Sequence, residues 1–325
     1  MTESKLPHLE ILLPVFNEVK NILPLLKALD GAIAEIAGQA TVSYLFVNDG
    51  SNDGSSELLQ RVYKDRQDIR FVDLIHNFGH GAAITCLIEH FEGDIAVIMD
   101  ADLQDAPSAL PQMFLKWKQG AKTVVAERGD RGEKNKILFK AFYFLLHKTA
   151  KSLPPINFGT HCLLDKSIVA RIRQFGERNR YFPGLVSLSS GEIHKIQLNR
   201  GARQNGSSRV GFFGLVNLAL TAFVSFSSTP IRLVSILGFI CSASALLAGI
   251  LFIAIKIFTV KAIPGWASIM TAVAMGSGIQ LLCLGIMGEY VARIYEEVKQ
   301  RPLYWVDKIY DRKTSLPQRT AKAAV

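Results

Sequence analysis

Cysteine is scarce in this chain. Four residues in 325, Cys86, Cys162, Cys241 and Cys283, lie far apart and without metal-ligand spacing. That excludes a zinc-knuckle or a disulfide framework and predicts free thiols in a reducing compartment. The first residues, Met1 to His8, are polar and carry no apolar core of a signal peptide, so the N-terminal domain is expected to stay in the cytoplasm. No Walker-type loop, Ser-His-Asp set or Cys-His pairing is present. The formal net charge is +9, but no basic-aromatic motif accompanies it, so nucleic acid is not the expected partner. Anionic lipid or a phosphorylated substrate is the better reading of the surplus. Long apolar runs are missing from the first two hundred residues and crowd the next ninety.

Five short apolar runs stand in the first part: Ile11–Phe16, Tyr44–Val47, Ile69–Ile75, Ile95–Met99 and Thr123–Ala126. Short runs with little alternation fit strands buried on both faces of a parallel sheet. The third carries Arg70 and Asp73 and is expected towards a sheet edge. Helical spacing connects them: Ile22, Leu25, Leu26, Leu29, Ile33 and Ile36; Leu58 to Tyr63 after an Asp53-Gly54-Ser55 turn; Ala82 to Phe91; Leu110 to Lys118. Strand alternating with helix predicts an α/β, doubly wound, mostly parallel sheet.

The polar residues fall just past the C-terminal ends of the apolar runs, where open α/β sheets bind ligands. Asn17, Glu18, Asp49, Asn77, Asp100 and Asp102 are therefore expected to converge from distant sequence positions. Asp100 and Asp102, two apart on extended chain, put both carboxylates on one side. A hard divalent cation held with a diphosphate needs few protein carboxylates, because phosphate oxygens and water supply the rest. The plainer reading is an acidic turn that caps the following helix. Asp49-Gly50-Ser51 reads as a simple turn or as an acceptor for a nucleobase imide N–H. Asn77-Phe78-Gly79-His80-Gly81 offers a glycine-rich helix start suited to an anion, although a lone His80 is more often a helix-end histidine.

The ordered set Pro14…Asn17-Glu18, Asp49-Gly50-Ser51, Asn77-Phe78-Gly79-His80 and Asp100-Ala101-Asp102-Leu103-Gln104-Asp105 resembles the GT-A inverting glycosyltransferases of family 2. Arg180-Tyr181-Phe182-Pro183-Gly184-Leu185, Phe226 to Arg232, and Gly288-Glu289-Tyr290 through Arg301-Pro302-Leu303-Tyr304 extend the resemblance to the bacterial polyprenyl-phosphate branch. That branch includes bactoprenol glucosyltransferases and relatives of dolichol-phosphate mannose synthase. The resemblance implies a nucleotide-sugar donor, preferably a UDP-sugar, and a polyprenyl (undecaprenyl) phosphate acceptor. It also implies Mg2+ or Mn2+ on Asp100 and Asp102, and a homo-oligomer, a tetramer. By the same likeness, Asp100, Asp102 and Gln104 carry the chemistry, and Pro14, Asn17, Glu18, Asp49, Ser51, Asn77, Gly79, His80, Asp100 and Arg128 bind the nucleotide.

One departure matters. Thr160, in Gly159-Thr160-His161-Cys162-Leu163-Leu164-Asp165-Lys166, stands where the family often has an aspartate. A phosphate acceptor with a second pKa of about 6 is already largely dianionic and needs no general base. Thr160→Ala is therefore expected to lose little turnover, far less than Asp102→Ala. A processive polysaccharide synthase would carry a Gln-X-X-Arg-Trp motif, which is absent. The same residues are also compatible with a dolichol-type mannosyltransferase that uses GDP-mannose, and with a non-catalytic membrane protein that binds a nucleotide-sugar.

Leu233–Ile255 and Ala262–Gly288 are 23 and 27 residues without a charge, each long enough to cross a hydrocarbon core of ~30 Å. Within Val210–Ile231, Gly214, Asn217, Thr221, Ser225 and Ser228 form one polar stripe, which predicts a helix lying in the interface. Arg200, Arg203 and Arg209 flank a turn containing Ser207. They suit either the acceptor phosphate or anionic headgroups. The tail after Glu289 holds Arg293, Lys299, Arg301, Lys308, Arg312, Lys313, Arg319 and Lys322. The positive-inside rule places it in the cytoplasm. The expected plan is a GT-A catalytic domain over 1–209, an interfacial helix over 210–231, two transmembrane helices over 232–289 (about 233–255 and 265–288), and a basic tail over 290–325. That is a multi-pass protein of the bacterial inner membrane, with catalytic domain and C-terminus cytoplasmic.

Overall fold

A computed structural model describes residues 6–128, 158–178, 180–198 and 265–312, with isolated helical residues between 234 and 258. The described residues fall into two compact units, 6–198 with 301–312 in one and 234–300 in the other.

The first unit is one eight-stranded sheet flanked by helices. In chain order it runs β1 (His8–Val15), α1 (Val19–Ala34), β2 (Thr41–Asn48), α2 (Ser55–Asp65), β3 (Ile69–Leu74), α3 (His80–His90), β4 (Ile95–Ile98), α4 (Leu110–Lys118), β5 (Thr123–Arg128), β6 (Phe158–Asp165), α5 (Lys166–Ile172), α6 (Phe182–Ser189), β7 (His194–Leu198) and, after the second unit, β8 (Val306–Tyr310). The strand order is β7-β5-β6-β4-β1-β2-β3-β8.

The five strands expected from apolar runs form at the expected places. β1 is buried from Leu9 to Val15 because helices cover both faces. On one face lies a core built from Leu9, Ile11 and Leu13 of β1, Ile22, Leu25, Leu26 and Leu29 of α1, and Met113 and Phe114 of α4. The central strands β4-β1-β2-β3 are parallel. The other half is mixed: β6 runs antiparallel to both β4 and β5, while β5 and β7 are parallel. The sheet is thus less uniformly parallel than the apolar runs suggest.

β3 lies towards the edge, as expected, one strand in. β8 pairs antiparallel beside it, with Phe71 opposite Tyr310 and Asp73 opposite Lys308. Both charges that pointed to an edge are satisfied inside. Asp73 accepts hydrogen bonds from Asn48 Nδ2 at 2.8 Å and Ser56 Oγ at 2.7 Å. Arg70 joins buried Glu10 at 2.6 Å and Asp311 at 3.0 Å. Removing one member of such a buried pair strands the other and costs about 3–5 kcal/mol.

The expected tail, 290–325, is not one free basic segment. Residues 290–299 continue a helix, 306–310 enter the catalytic sheet, and Arg312 stacks over Tyr63 at 4.7 Å and donates to the Arg66 carbonyl at 3.1 Å. Tyr304 is buried and its hydroxyl donates to Glu89 on α3. Residues 313–325 lie outside the described residues.

In the second unit, α7 (Trp266–Lys299) covers the expected 265–288 segment from residue 266 onward, with Gly265 at its N-cap. Among the described residues it is the helix long and apolar enough to cross a membrane, over Met275–Lys299. Its 34 residues reach about 51 Å at 1.5 Å per residue, which exceeds a hydrocarbon core. Ile269, Leu281, Leu284 and Val291 are exposed along it. The described residues from 234 to 247 are helical; most of the 233–255 segment and all of 210–231 lie outside the description. Cys86, Cys162 and Cys283 are free thiols, as expected.

Candidate active site

The sheet order fixes where a cleft can open. β1 has β2 on one side and β4 on the other, so the connections leaving β1 and β4 diverge. A crevice forms at the carboxyl ends of the two strands. Pro14, Val15, Phe16, Glu18, Asp49, Asn77, His80, Ala83, Asp100, Ala101 and Asp102 line a cleft of ≈ 330 Å³ there. Seven residues singled out from sequence, Pro14, Glu18, Asp49, Asn77, His80, Asp100 and Asp102, are brought together.

Asp49 is held from the neighbouring loop. Its two carboxylate oxygens accept the backbone N–H groups of Phe78 at 2.7 Å and Gly79 at 2.9 Å. Burial pushes its carboxyl above the ordinary range, and these two bonds pull it partly back. Each oxygen keeps a second lone-pair direction for a ligand. The close approach depends on Gly50, whose φ is +62°. A Cβ there would lie 2.3 Å from the His76 carbonyl carbon and 2.6 Å from the Asn77 nitrogen, so only glycine fits.

Asn17 and Ser51 do not line the cleft. They lock the β1–α1 and β2–α2 loops together: Ser51 Oγ accepts from the Asn17 N–H at 2.9 Å, and Asn17 Oδ1 accepts from the Asn52 N–H at 2.9 Å. Asn17 adopts φ +56° to do so, a conformation that asparagine tolerates better than most residues. Gly79 acts through its N–H on Asp49. Sequence reasoning missed Asp53 as a brace: its carboxylate accepts from Val19 N–H at 3.0 Å and from Ser55 N–H at 3.0 Å, tying the starts of α1 and α2. The Asp-Gly-Ser run that reads as a helix start was the available signal.

The acidic loop after β4 is tightly folded. Asp102 Oδ1 accepts the Gln104 N–H at 3.0 Å, and Leu103 is forced to φ +59°. Non-glycine residues in that region cost of order 1–3 kcal/mol and persist where the surroundings over-determine them. Asp105 is buried and its Oδ2 receives the Asp100 N–H at 3.5 Å. Asp100 Oδ1 is buried and has no hydrogen-bond partner; His80 Nε2 stands 3.5 Å away. Burial raises the Asp100 carboxyl above its ordinary range; His80 opposes that, Asp105 and Asp102 add to it, and Thr160 opposes it. An unpaired buried carboxylate oxygen is costly, and a second carboxylate two residues on gives the pair the donor set of a hard divalent cation. Asp100 and Asp102 are the residues that could hold one. Among the described residues no group of three or more His, Cys, Asp or Glu is arranged for a metal.

Gln104 contributes its backbone N–H to the Asp102 turn. Arg128 ends β5, where it pairs with Leu198; its side chain lies outside the described residues. So do Arg200, Arg203, Ser207 and Arg209, the expected acceptor-phosphate group.

With this geometry in view, the family follows. The family model described as glycosyl transferase family 2 matches residues 10–173, just over half of the chain. Relatives match nearly end to end. The uncharacterized glycosyltransferase YkcC of Bacillus subtilis (strain 168) is 34% identical over 307 residues, covering 92% of this chain and 93% of its own. The prophage bactoprenol glucosyl transferase homolog of Escherichia coli (strain K12) is 29% identical over 304 residues, 93% of this chain and 99% of its own. Among solved structures, glucosyl-3-phosphoglycerate synthase of Mycobacterium tuberculosis aligns over 66% of this chain and 76% of its own, with 16% identity and a TM-score of 0.47. The chain belongs to glycosyl transferase family 2. It is a glycosyltransferase, and the cleft above β1 and β4 is its candidate active site.

Proposed function

We propose that the protein transfers a hexose from a nucleotide-sugar, preferably a UDP-sugar, to a polyprenyl phosphate such as undecaprenyl phosphate at the cytoplasmic face of a membrane. The observation that carries this reading is the convergence of Asp49, Asp100 and Asp102 on one cleft, with the buried Asp100 Oδ1 lacking a partner. The acceptor class is supported by the SfII prophage-derived bactoprenol glucosyl transferase of Shigella flexneri and the prophage bactoprenol glucosyl transferase homolog of Escherichia coli, which match over nine-tenths of the chain. The exposed apolar length of α7 supports a membrane location.

In this reading Asp49, held by Phe78 and Gly79, accepts from the nucleobase. Glu18 and Asn77 line the neighbouring wall. Asp100 and Asp102 hold Mg2+ or Mn2+, which supplies charge neutralisation for the departing diphosphate. His80, 3.5 Å from Asp100, and the N-terminus of α3 face the same anion. An oxygen of the acceptor phosphate forms the new bond to the anomeric carbon as the bond to the nucleoside diphosphate breaks, on the opposite face and with inversion. Arg203 and Arg209, with Arg200 and Ser207, hold the acceptor phosphate. The Gln104 side chain and Arg128 complete the site around the leaving group. Two spans, 233–255 and 265–288, an interfacial helix over 210–231 and a homotetramer complete the proposed organisation.

The test is a panel of radiolabelled nucleotide-sugars incubated with membranes, undecaprenyl phosphate and Mg2+ or Mn2+, with label counted in the organic phase. A UDP-hexose is expected to label the lipid, and chelation is expected to abolish it. A GDP-sugar as sole donor would overturn the base assignment. Absence of metal-dependent label from every donor would overturn the enzyme reading for this acceptor.

A further inference from the structure

One oxygen of the Asp100 carboxylate, Oδ1, lacks a hydrogen-bond partner, and the strand beside it supplies a candidate. β4 and β6 run antiparallel with Ile95 opposite Asp165 and Ile98 opposite Cys162. The ladder ends at that pair; continued for two more residues, the same register would set Asp100 opposite Thr160. Residues directly opposite in an antiparallel pair project to the same face and approach within side-chain reach. Asp100 Oδ1 and Thr160 Oγ1 share a second property: both atoms are buried and neither meets a partner with full hydrogen-bond geometry. A hydroxyl is the one neighbour that rotates freely to donate to a carboxylate.

We propose that Thr160 is a positioning residue: its hydroxyl donates to the buried oxygen of Asp100 and fixes that carboxylate in the orientation that receives the cation. This rests on the reading of Asp100 and Asp102 as the cation ligands. It gives the threonine a role distinct from proton abstraction. A carboxylate at this position would add a fourth negative group beside Asp100, Asp102 and Asp105. A hydroxyl instead can donate a hydrogen bond and adds no charge. Partners of this kind are worth roughly 10- to 100-fold in metal affinity.

The test uses the full-length protein in detergent and measures Mn2+ binding by the loss of free-Mn2+ EPR signal, with UDP and with GDP in parallel. Wild type is expected to bind with one of them, and Asp102→Ala to lose that binding. Thr160→Ala and the isosteric Thr160→Val are expected to bind Mn2+ at least tenfold more weakly. Thr160→Ser, which keeps the hydroxyl, is expected within about threefold of wild type. At saturating Mn2+ the turnover of Thr160→Val should stay within a few-fold of wild type. Equal Mn2+ affinity in the Val variant and wild type would overturn the proposal and leave the cation site intact. A Ser variant as weak as Val would also overturn it, because a packing role would then explain both. Wild type that binds no more Mn2+ than Asp102→Ala with either nucleotide would overturn the underlying cation site and this role with it.

Discussion

Replacing Gly50 by alanine tests whether the nucleotide site depends on one backbone approach. Gly50 sits at φ +62°, and its missing Cβ would meet backbone atoms of His76 and Asn77 at 2.3 and 2.6 Å. Backbone cannot rotate aside as a side chain can. The left-handed conformation alone costs an alanine about 1–2 kcal/mol. Forcing two loops apart adds about 1–3 kcal/mol, as overpacking generally does, for a total of about 2–5 kcal/mol. The displaced loop is the one whose Phe78 and Gly79 N–H groups hold Asp49, so the damage falls on the carboxylate proposed to bind the base. Gly38 provides the control: its φ is +73°, but nothing lies within 4 Å of its Cβ position, so Gly38→Ala should cost only the conformational part. Thermal unfolding and nucleotide binding by calorimetry would be measured on both variants, at a temperature where each is folded. Gly50→Ala is expected to bind nucleotide at least tenfold more weakly, and Gly38→Ala to bind as wild type. If folded Gly50→Ala bound nucleotide with wild-type affinity, the claim that this contact sets the position of Asp49 would be refuted.

Asp102→Ala should lower lipid labelling by three orders of magnitude or more while leaving the unfolding temperature nearly unchanged, as measured by organic-phase counting and by calorimetry; removing an electrostatic stabiliser of the leaving group costs about 10²–10³ per group, and lost cation affinity adds to it. Asp73, whose carboxyl burial holds above the ordinary range despite bonds from Ser56 and Asn48, binds its proton more tightly folded than unfolded. Its contribution is therefore fully present below pH 3.8 and is lost as pH rises through the folded value. Asp73→Asn should accordingly flatten the fall of stability with pH above that point, in thermal melts from pH 3.5 to 7. Tyr304→Phe removes the hydroxyl that donates to Glu89 and should destabilise by about 1.5–3 kcal/mol, the range for a bond to a charged group, as read in denaturant titration. Charge removal at Arg203 should raise the Michaelis constant for the lipid acceptor more than that for the donor in steady-state assays.

How much of this was legible in the sequence depends on how local the signal was. β1 to β5 carry their own signature, because a strand covered on both faces must be apolar at consecutive positions, and β1 to β4 each end in polar residues that line the cleft. β6 is different. His161 and Thr160 interrupt its apolar stretch, and its place between β4 and β5 follows from antiparallel pairing that no local pattern encodes. β7, with the sequence His-Lys-Ile-Gln-Leu, and β8, with Val-Asp-Lys-Ile-Tyr, have too few apolar residues in a row to show the signature of a doubly covered strand. β3 does lie towards an edge, one strand in, but its charges are not solvated there: Arg70 and Asp73 find partners within the sheet, one of them Asp311, which is 241 residues away. Among the site residues, the lining set was readable from strand ends. The locking roles of Asn17, Ser51 and Asp53 were not, since a turn residue that bonds another loop looks the same in sequence as one that bonds a ligand.

The placement of β8 has a consequence for biosynthesis. The last strand of the catalytic sheet is translated only after α7, so the ribosome delivers every cleft residue long before the sheet can close. Until Val306–Tyr310 emerge, β3 exposes a row of unpaired backbone groups, the kind of edge that recruits other strands. A transcript truncated at residue 300 would encode the whole cleft and still produce a molecule prone to aggregate. Completion of the enzyme is thereby deferred until its apolar helix has been made.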